Sequence, residues 1–156
     1  MKKNAEIMAK ETLTTIENSL RKMKMNYQYD LSGNLCHLIV EGEDIPMPIT
    51  IWVEPDYSLV VMNSVLPFFV PEEKFDVTMA VLNEINSRII SGVFYLDRED
   101  RVIKYKLVDS YLGAPIGHAA IRFNIEILLN TVDKYNDKLH ALQEGELDVG
   151  YFYECI

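Results

Sequence analysis

This sequence predicts an α+β domain with the element order α-β-β-β-α-β-β-α, in which an antiparallel sheet is packed with helices. Three apolar, β-rich segments, 27–40, 48–54 and 57–66, follow one another through short polar turns. Connections this short imply antiparallel neighbours. A hairpin over residues 92–108 and helical apolar spacing over residues 116–142 complete the pattern.

Composition predicts one soluble domain. The chain has 156 residues, of which 49% are hydrophobic and 25% are charged, as in ordinary globular proteins. A net charge of -9 repels a phosphate backbone, so nucleic acid is not expected as a partner. No apolar run reaches the roughly 20 residues of a membrane helix, and the two lysines near the start are not followed by a signal-like segment. We therefore expect a cytoplasmic protein with no membrane contact.

The first helix is predicted over residues 4–25, where apolar residues recur at steps of four and three. These residues form one face of the helix: Ala9, Leu13, Ile16, Leu20 and Met23. Charged and amide side chains occupy the remaining positions. A single apolar face of this kind packs against a sheet or another helix.

The second helix begins at Pro71 with Glu72 and Glu73, because proline is tolerated in the first turn and acids favour the positive end of the helix dipole. Its apolar residues cover more than half of the circumference, since Val77 and Val81 lie off the main stripe. One packing contact does not need this width. We therefore predict that a second subunit covers the additional arc, with Val77, Val81 and Ile85 as the homodimer interface.

The third helix, over residues 116–142, has one narrow polar line and is expected to be buried on most sides of its first half. It ends the single domain, which we assign to residues 1–144. Residues 145–156 form an acidic, aromatic tail, for which a short strand, a helical extension and disorder all remain open.

The only tryptophan indicates a possible contact surface. Alternation puts Ile49, Ile51 and Val53 on one face of their strand and Trp52 on the other. If the first set packs on the helices, Trp52 points away from the core, and neighbouring strands add apolar surface. We select Trp52, Met62 and Tyr95 as candidate partner-binding residues. The alternative is that the third helix or the tail covers this face within one monomer.

Histidines and cysteines do not form a metal-binding pattern. His37, His118 and His140 are scattered, and Cys36 and Cys155 lack CxxC spacing, so no metal is assigned. Two free thiols are expected, with a bridge between them left open. The turn that contains Gly113, Gly117 and His118 precedes the third helix and is a candidate anion or ligand turn, although the surface preference of histidine favours His118 as an ordinary, partly exposed residue of a helix-start turn.

No catalytic constellation is present in the sequence. The acids Asp97, Glu99 and Asp100 crowd one hairpin turn without the spacing of a calcium loop, and no hydroxyl or thiol nucleophile has a suitable neighbour by motif. We therefore assign no catalytic residue and no cofactor, and we expect that the protein is not an enzyme.

The element order and several motifs resemble the YbjN-type family of bacterial proteins, in the type III secretion chaperone-like superfamily. The resemblance extends from about Ala5 to Leu142. It is carried by the first helix and by five further segments: YQYD at 27–30 with Gly33, PEE at 71–73, VLNEIN at 81–86, GVFYLD at 92–97 and VDKY at 132–135.

This resemblance implies a small acidic homodimer that holds a protein client without ATP, or a regulator of the kind labelled sensory transduction regulators. The expected function is a non-enzymatic, chaperone-like or regulatory adaptor with a protein client or partner. The alternative is a small-molecule sensor with its ligand between the last helix and the sheet.

Overall fold

Six antiparallel strands and four helices are found in residues 2–30 and 35–156, which the computed structural model describes. The elements run as follows: α1 (Lys2–Lys22), β1 (Gln28–Asp30), β2 (Leu35–Val40), β3 (Met47–Glu54), β4 (Leu59–Phe69), α2 (Phe75–Arg88), β5 (Val93–Asp97), β6 (Val102–Ser110), α3 (His118–Glu144) and α4 (Val149–Cys155). The predicted α+β class and element order are confirmed, with two additions: the first strand segment gives β1 and β2, and the tail forms α4. The turn predicted at residues 32–34 lies outside the described residues.

The strands form one sheet in the order β1-β2-β3-β4-β6-β5. Each neighbouring pair is antiparallel, and the register places Trp52 opposite Leu35 of β2 and Val61 of β4. The pairing of β4 with β6 shifts between Val65 and Phe69, around Pro67, which has no backbone N–H to donate to the ladder. Helix α2 connects β4 to β5 in sequence. Strand β5 does not pair with β4 but with the other side of β6, and it is therefore an edge strand of the sheet.

One face of the sheet, here called the inner face, packs against the helices. Helix α1 contacts β3, α3 contacts β3, β4 and β6, and α2 contacts β5. The strands contribute alternate buried side chains to this core, among them Cys36, Ile51, Met62, Phe94 and Tyr105. Helix α3 supplies Ile125, Leu128, Val132, Tyr135 and Leu139, all nearly fully buried. The predicted packing of the apolar helix faces on the sheet therefore forms the core.

The predicted homodimer interface on α2 needs correction. Val81 and Ile85 have no exposed surface in the chain itself, and Val77 is half-buried. The wide apolar arc of α2 packs on β5 and also touches α4. The tail thus provides, within one chain, the second packing contact of α2 that the sequence analysis assigned to a second subunit. Val81 and Ile85 are buried by these contacts and are not available to a partner.

Helix α4 is held to the end of α3 and to α2. Gly145 ends α3 with a positive φ of 78°, and the Lys74 ammonium donates to the backbone oxygens of Leu142 and Gln143 at 2.8 and 2.5 Å. The Asp148 carboxylate caps α4 by accepting from the N–H of Tyr151 at 2.9 Å. Phe152 inserts fully into the core.

Candidate protein-interaction surface

The second face of the sheet, here called the outer face, lies opposite the helices that the structure describes. Trp52 lies on it and is half-buried, while Ile51 and Val53 on either side are buried in the core. Trp52 is paired with Val61, which is only 5% exposed although it is not part of the core cluster. The apolar neighbours of Trp52 therefore shield one another on the outer face.

Of the three predicted partner-binding residues, two lie on the outer face and one does not. Tyr95 is 37% exposed and shares the face of Trp52, but Met62 is fully buried among inner-face residues. The physical reason is the phase of β4: Val61, not Met62, is opposite Trp52 in the register. Met62 is therefore a core residue and is withdrawn as a candidate for partner binding.

Cross-strand pairing arranges the outer face in rows that run across the strands, and three of these rows cross its centre. The first apolar row contains Leu35, Trp52, Val61 and Val108. The polar row contains Gln28, His37, Thr50, Asn63, Lys106 and, at its β5 end, Val93. The second apolar row contains Ile39, Pro48, Val65, Lys104 and Tyr95. Such alternation gives the face both apolar contact area and hydrogen-bonding groups.

The carboxylates of the outer face lie at its border, at the ends of strands. Lys104 lies between two acids, with Nζ 2.7 Å from an Asp97 oxygen and 2.8 Å from an Asp100 oxygen. These hydrogen bonds raise the pKa of the Lys104 ammonium. The hydrogen bond from Lys104 lowers the pKa of the Asp97 carboxyl group, and so do the hydrogen bonds that Asp97 accepts from the backbone N–H groups of Asp100 and Glu99. Lys106, in contrast, has no ion pair within the described residues.

A groove of about 610 Å³ opens at one side of the outer face, next to the short strand β1. Because β1 pairs with β2 only as far as His37, the remainder of β2 pairs with β3 but has no described strand on its other side. The groove is lined there by Tyr27, His37, Ile39, Pro48 and Thr50, among others. Ile39 is 68% exposed, and His37 Nδ1 lies 3.1 Å from the Thr50 hydroxyl. Sequence reasoning missed this groove, because it arises from the different lengths of β1 and β2.

The predicted anion turn is only partly assembled. Gly117 is the N-cap residue of α3 and adjoins His118, whereas Gly113 lies in a separate turn with a φ of 89°. His118 Nδ1 is 2.5 Å from the Ser19 hydroxyl of α1, so this ring joins two helices. A shallow groove of about 320 Å³ beside it is lined by Lys22 and Arg122, and Arg122 is paired with Glu126. Ligand binding at this turn stays a prediction.

The layer between α3 and the sheet, where the alternative function would place a small molecule, is occupied by side chains. Leu128 and Val132 of α3 are 1% exposed, and Ile103 and Tyr105 of β6 have no exposed surface. The ring of Phe94 packs against that of Tyr105 in a tilted arrangement, with ring centroids 4.8 Å apart. A ligand in this layer would displace these contacts.

Cys36 and Cys155 are both free thiols, which resolves the alternative of a bridge left open by the sequence. Cys36 is buried on the inner face, and burial raises the pKa of its thiol to about 11, with a smaller contribution from the Glu17 carboxylate. Cys155 is exposed on α4. In the part of the chain that the structure describes, no three His, Cys, Asp or Glu residues are grouped as metal ligands. None of the helices described is both long and apolar enough to cross a membrane.

Solved structures with the same fold include two complexes, one of which is a chaperone–effector complex. The ExsC–ExsE complex matches with a TM-score of 0.64 and 10% identity over 84% of this chain and 95% of that chain. The HopA1–SchA chaperone–effector complex matches with a TM-score of 0.56 and 12% identity over 80% and 91%. At these identities the likeness defines the fold. The domain has the α+β fold that these structures share.

The family follows from two further comparisons. YbjN from E. coli has a crystal structure that matches with a TM-score of 0.59 and 16% identity, over 81% of this chain and 92% of that chain. Residues 12–141 match the family model of YbjN, described as "Putative bacterial sensory transduction regulator". The chain belongs to the YbjN family. No match was found among curated proteins.

Proposed function

We propose that this protein is a non-enzymatic, chaperone-like or regulatory adaptor that acts in the cytoplasm as a homodimer and binds protein on the outer face of its sheet. The observation that carries the proposal is the outer face itself, where Trp52 and Val61 form an apolar centre away from the helices. Apolar patches bordered by polar groups mark protein contact sites on soluble proteins.

Two further observations support this function. The YbjN family is described as a regulator family, and the matching ExsC and SchA folds were solved in complexes with protein partners. A protein partner is also consistent with the shape of the face, because the rows around Trp52 form a broad surface and the groove beside β1 is open to solvent. Enclosed pockets, rather than broad surfaces, are typical of small-molecule sites.

Site-specific photo-crosslinking in the cell of origin tests the proposal. A photoreactive phenylalanine analogue placed at Trp52 is expected to capture a protein, either a client or a second copy of this chain, which mass spectrometry then identifies. The matched control places the same analogue at Tyr57, which is 74% exposed in the turn between β3 and β4 and lies outside the three rows.

Crosslinked protein from position 52 but not from position 57 would support binding at the outer face. Equal yields at both positions, or none at position 52, would contradict it. Purified protein that turns over a substrate would contradict the non-enzymatic assignment.

A further inference from the structure

We propose that the occupant of the outer face is a second copy of this chain, related by a two-fold axis parallel to the strands and midway between β3 and β4. This inference rests on the proposed homodimer and assigns its surface. The axis passes through the centre of the six-stranded order β1-β2-β3-β4-β6-β5. Two outer faces packed about it place β3 over β4, β2 over β6 and β1 over β5 of the other copy.

The first apolar row and the centre of the polar row are self-complementary about this axis. A rotation about an axis parallel to the strands keeps each row in its place and exchanges its two ends. Trp52 then faces Val61 of the second copy, and Leu35 faces Val108, so apolar residues meet apolar residues. In the polar row, Thr50 faces Asn63 of the second copy.

His37 and Lys106 also become partners across the axis. The Thr50 hydroxyl contacts Nδ1 of His37. When the imidazole proton is on Nδ1 and is donated to this hydroxyl, the Nε2 atom is unprotonated and can accept a hydrogen bond. Lys106, which has no ion pair within the described residues, supplies the ammonium that donates to it. The contact therefore pairs two polar groups that lie one strand in from the ends of the polar row.

The strongest argument is that a projection and a hollow occupy matching positions. Tyr95 and Val93 on edge strand β5 are 37% and 43% exposed. Strand β1 lies on the opposite side of the axis, at the same distance from it as β5. It is too short to flank Ile39, and the groove of about 610 Å³ opens at that position. The rotation places Tyr95 of the second copy over this groove, next to Ile39 and Pro48. A client of unrelated sequence would have no reason to match this spacing.

Charge on the outer face does not prevent a second copy from binding there. Two chains of net charge -9 repel unless they meet where carboxylates are few. On the outer face, Asp30, Glu54 and Asp97 are the last residues of their strands and lie at its border. Asp97 is already neutralised by Lys104. The interior of the face therefore allows two acidic copies to approach.

The area of the outer face is close to that of a stable dimer interface. Strands lie about 4.8 Å apart and rise about 3.3 Å per residue, so the five gaps between six strands and a strand of eight residues span about 24 Å by 26 Å. This plane of about 600 Å², enlarged by its side chains, approaches the roughly 800 Å² per partner that stable interfaces bury.

Light scattering coupled to size exclusion tests the assignment on the purified chain. Wild type is expected at twice 18.0 kDa. Tyr95→Glu, which places a charge in the groove of the second copy, should raise the dimer dissociation constant about 30-fold or more. Tyr57→Glu is the matched control and should leave the dimer unchanged, and both variants should melt within a few degrees of wild type because both tyrosines are exposed.

Crosslinking then tests the predicted register. In a Cys155→Ser background, Tyr95→Cys mixed with Ile39→Cys should be joined by a short bismaleimide, whereas Tyr57→Cys mixed with Ile39→Cys should not. A monomeric wild type, or a dimer that resists Tyr95→Glu and forms no crosslink between positions 95 and 39, overturns the inference. If Trp52 still captures another protein in that case, the proposed binding of a protein partner on the outer face stands, and the second copy as its occupant is excluded.

Discussion

Cys36 is the buried group whose ionisation most directly links pH to stability. Its thiol faces the core on the inner side of β2, and its pKa is raised from 9.0 to about 11, first by burial and then by the Glu17 carboxylate. Between these values the folded chain keeps the proton while the unfolded chain releases it. The unfolded state binds fewer protons there, so stability falls as pH rises.

We expect the free energy of unfolding to fall by up to about 1.4 kcal/mol per pH unit from pH 9 upward because of this thiol. Urea denaturation between pH 8 and pH 10 measures the slope. Cys36→Val removes the titrating group and should flatten it, whereas Cys155→Ala, at an exposed position, should preserve it. An unchanged slope in Cys36→Val would show that other groups cause the dependence, such as Tyr29, Tyr105 and Tyr111, whose pKa values burial also raises.

Helix α4 shows how a short element depends on its packing. A helix of 7 residues is too short to form alone in water. It is retained by its Asp148 cap, by the contact of Arg88 with the Ile156 backbone oxygen, and above all by Phe152, which has no exposed surface. In return, α4 covers part of α2 that would otherwise face water.

Phe152→Ala should therefore lower the free energy of unfolding by about 3–5 kcal/mol, the usual cost of removing a buried phenylalanine ring. Tyr151→Ala, one position earlier and 55% exposed, should change it by no more than about 0.5 kcal/mol. Denaturant unfolding followed by circular dichroism measures both. Equal effects of the two substitutions would mean that α4 is not anchored through Phe152.

At the scale of the whole molecule, the two faces of the sheet have different roles: one holds the helices and the other is available for a partner. Trp52→Ala on the outer face should weaken association, with a stability loss well below the roughly 3–5 kcal/mol of a core tryptophan. Met62→Ala on the inner face should do the reverse and cost about 2–5 kcal/mol of stability.

Denaturant unfolding of dilute monomer measures the change in stability, and light scattering at high concentration measures the change in association. Together they separate the two effects. A loss of several kcal/mol in Trp52→Ala with association intact would assign Trp52 to the core instead.

The sequence predicted the antiparallel order because turns and periodicity are local properties, but it did not determine which side chains share a face. Val60, Val61 and Met62 are three consecutive apolar residues, so the sequence shows no alternation of polar and apolar positions there. Only the register of β3 and β4 shows that Val61 lies on the same face as Trp52. Likewise, the wide apolar arc of α2 through Val81 indicates a second packing contact, but the same arc is expected whether another subunit or the tail provides that contact. Distinguishing these cases requires tertiary structure.

The one-sided arrangement of helices has a practical consequence for attaching other groups to this protein. Helix α1 packs on β3 and α3, and α4 packs on α2 and α3, so both ends of the described chain belong to the helical layer. Affinity tags, fluorescent reporters or fused domains at either end would project from the helical layer. In the proposed dimer, cargo fused to the two chains would be carried on opposite exteriors of the assembly.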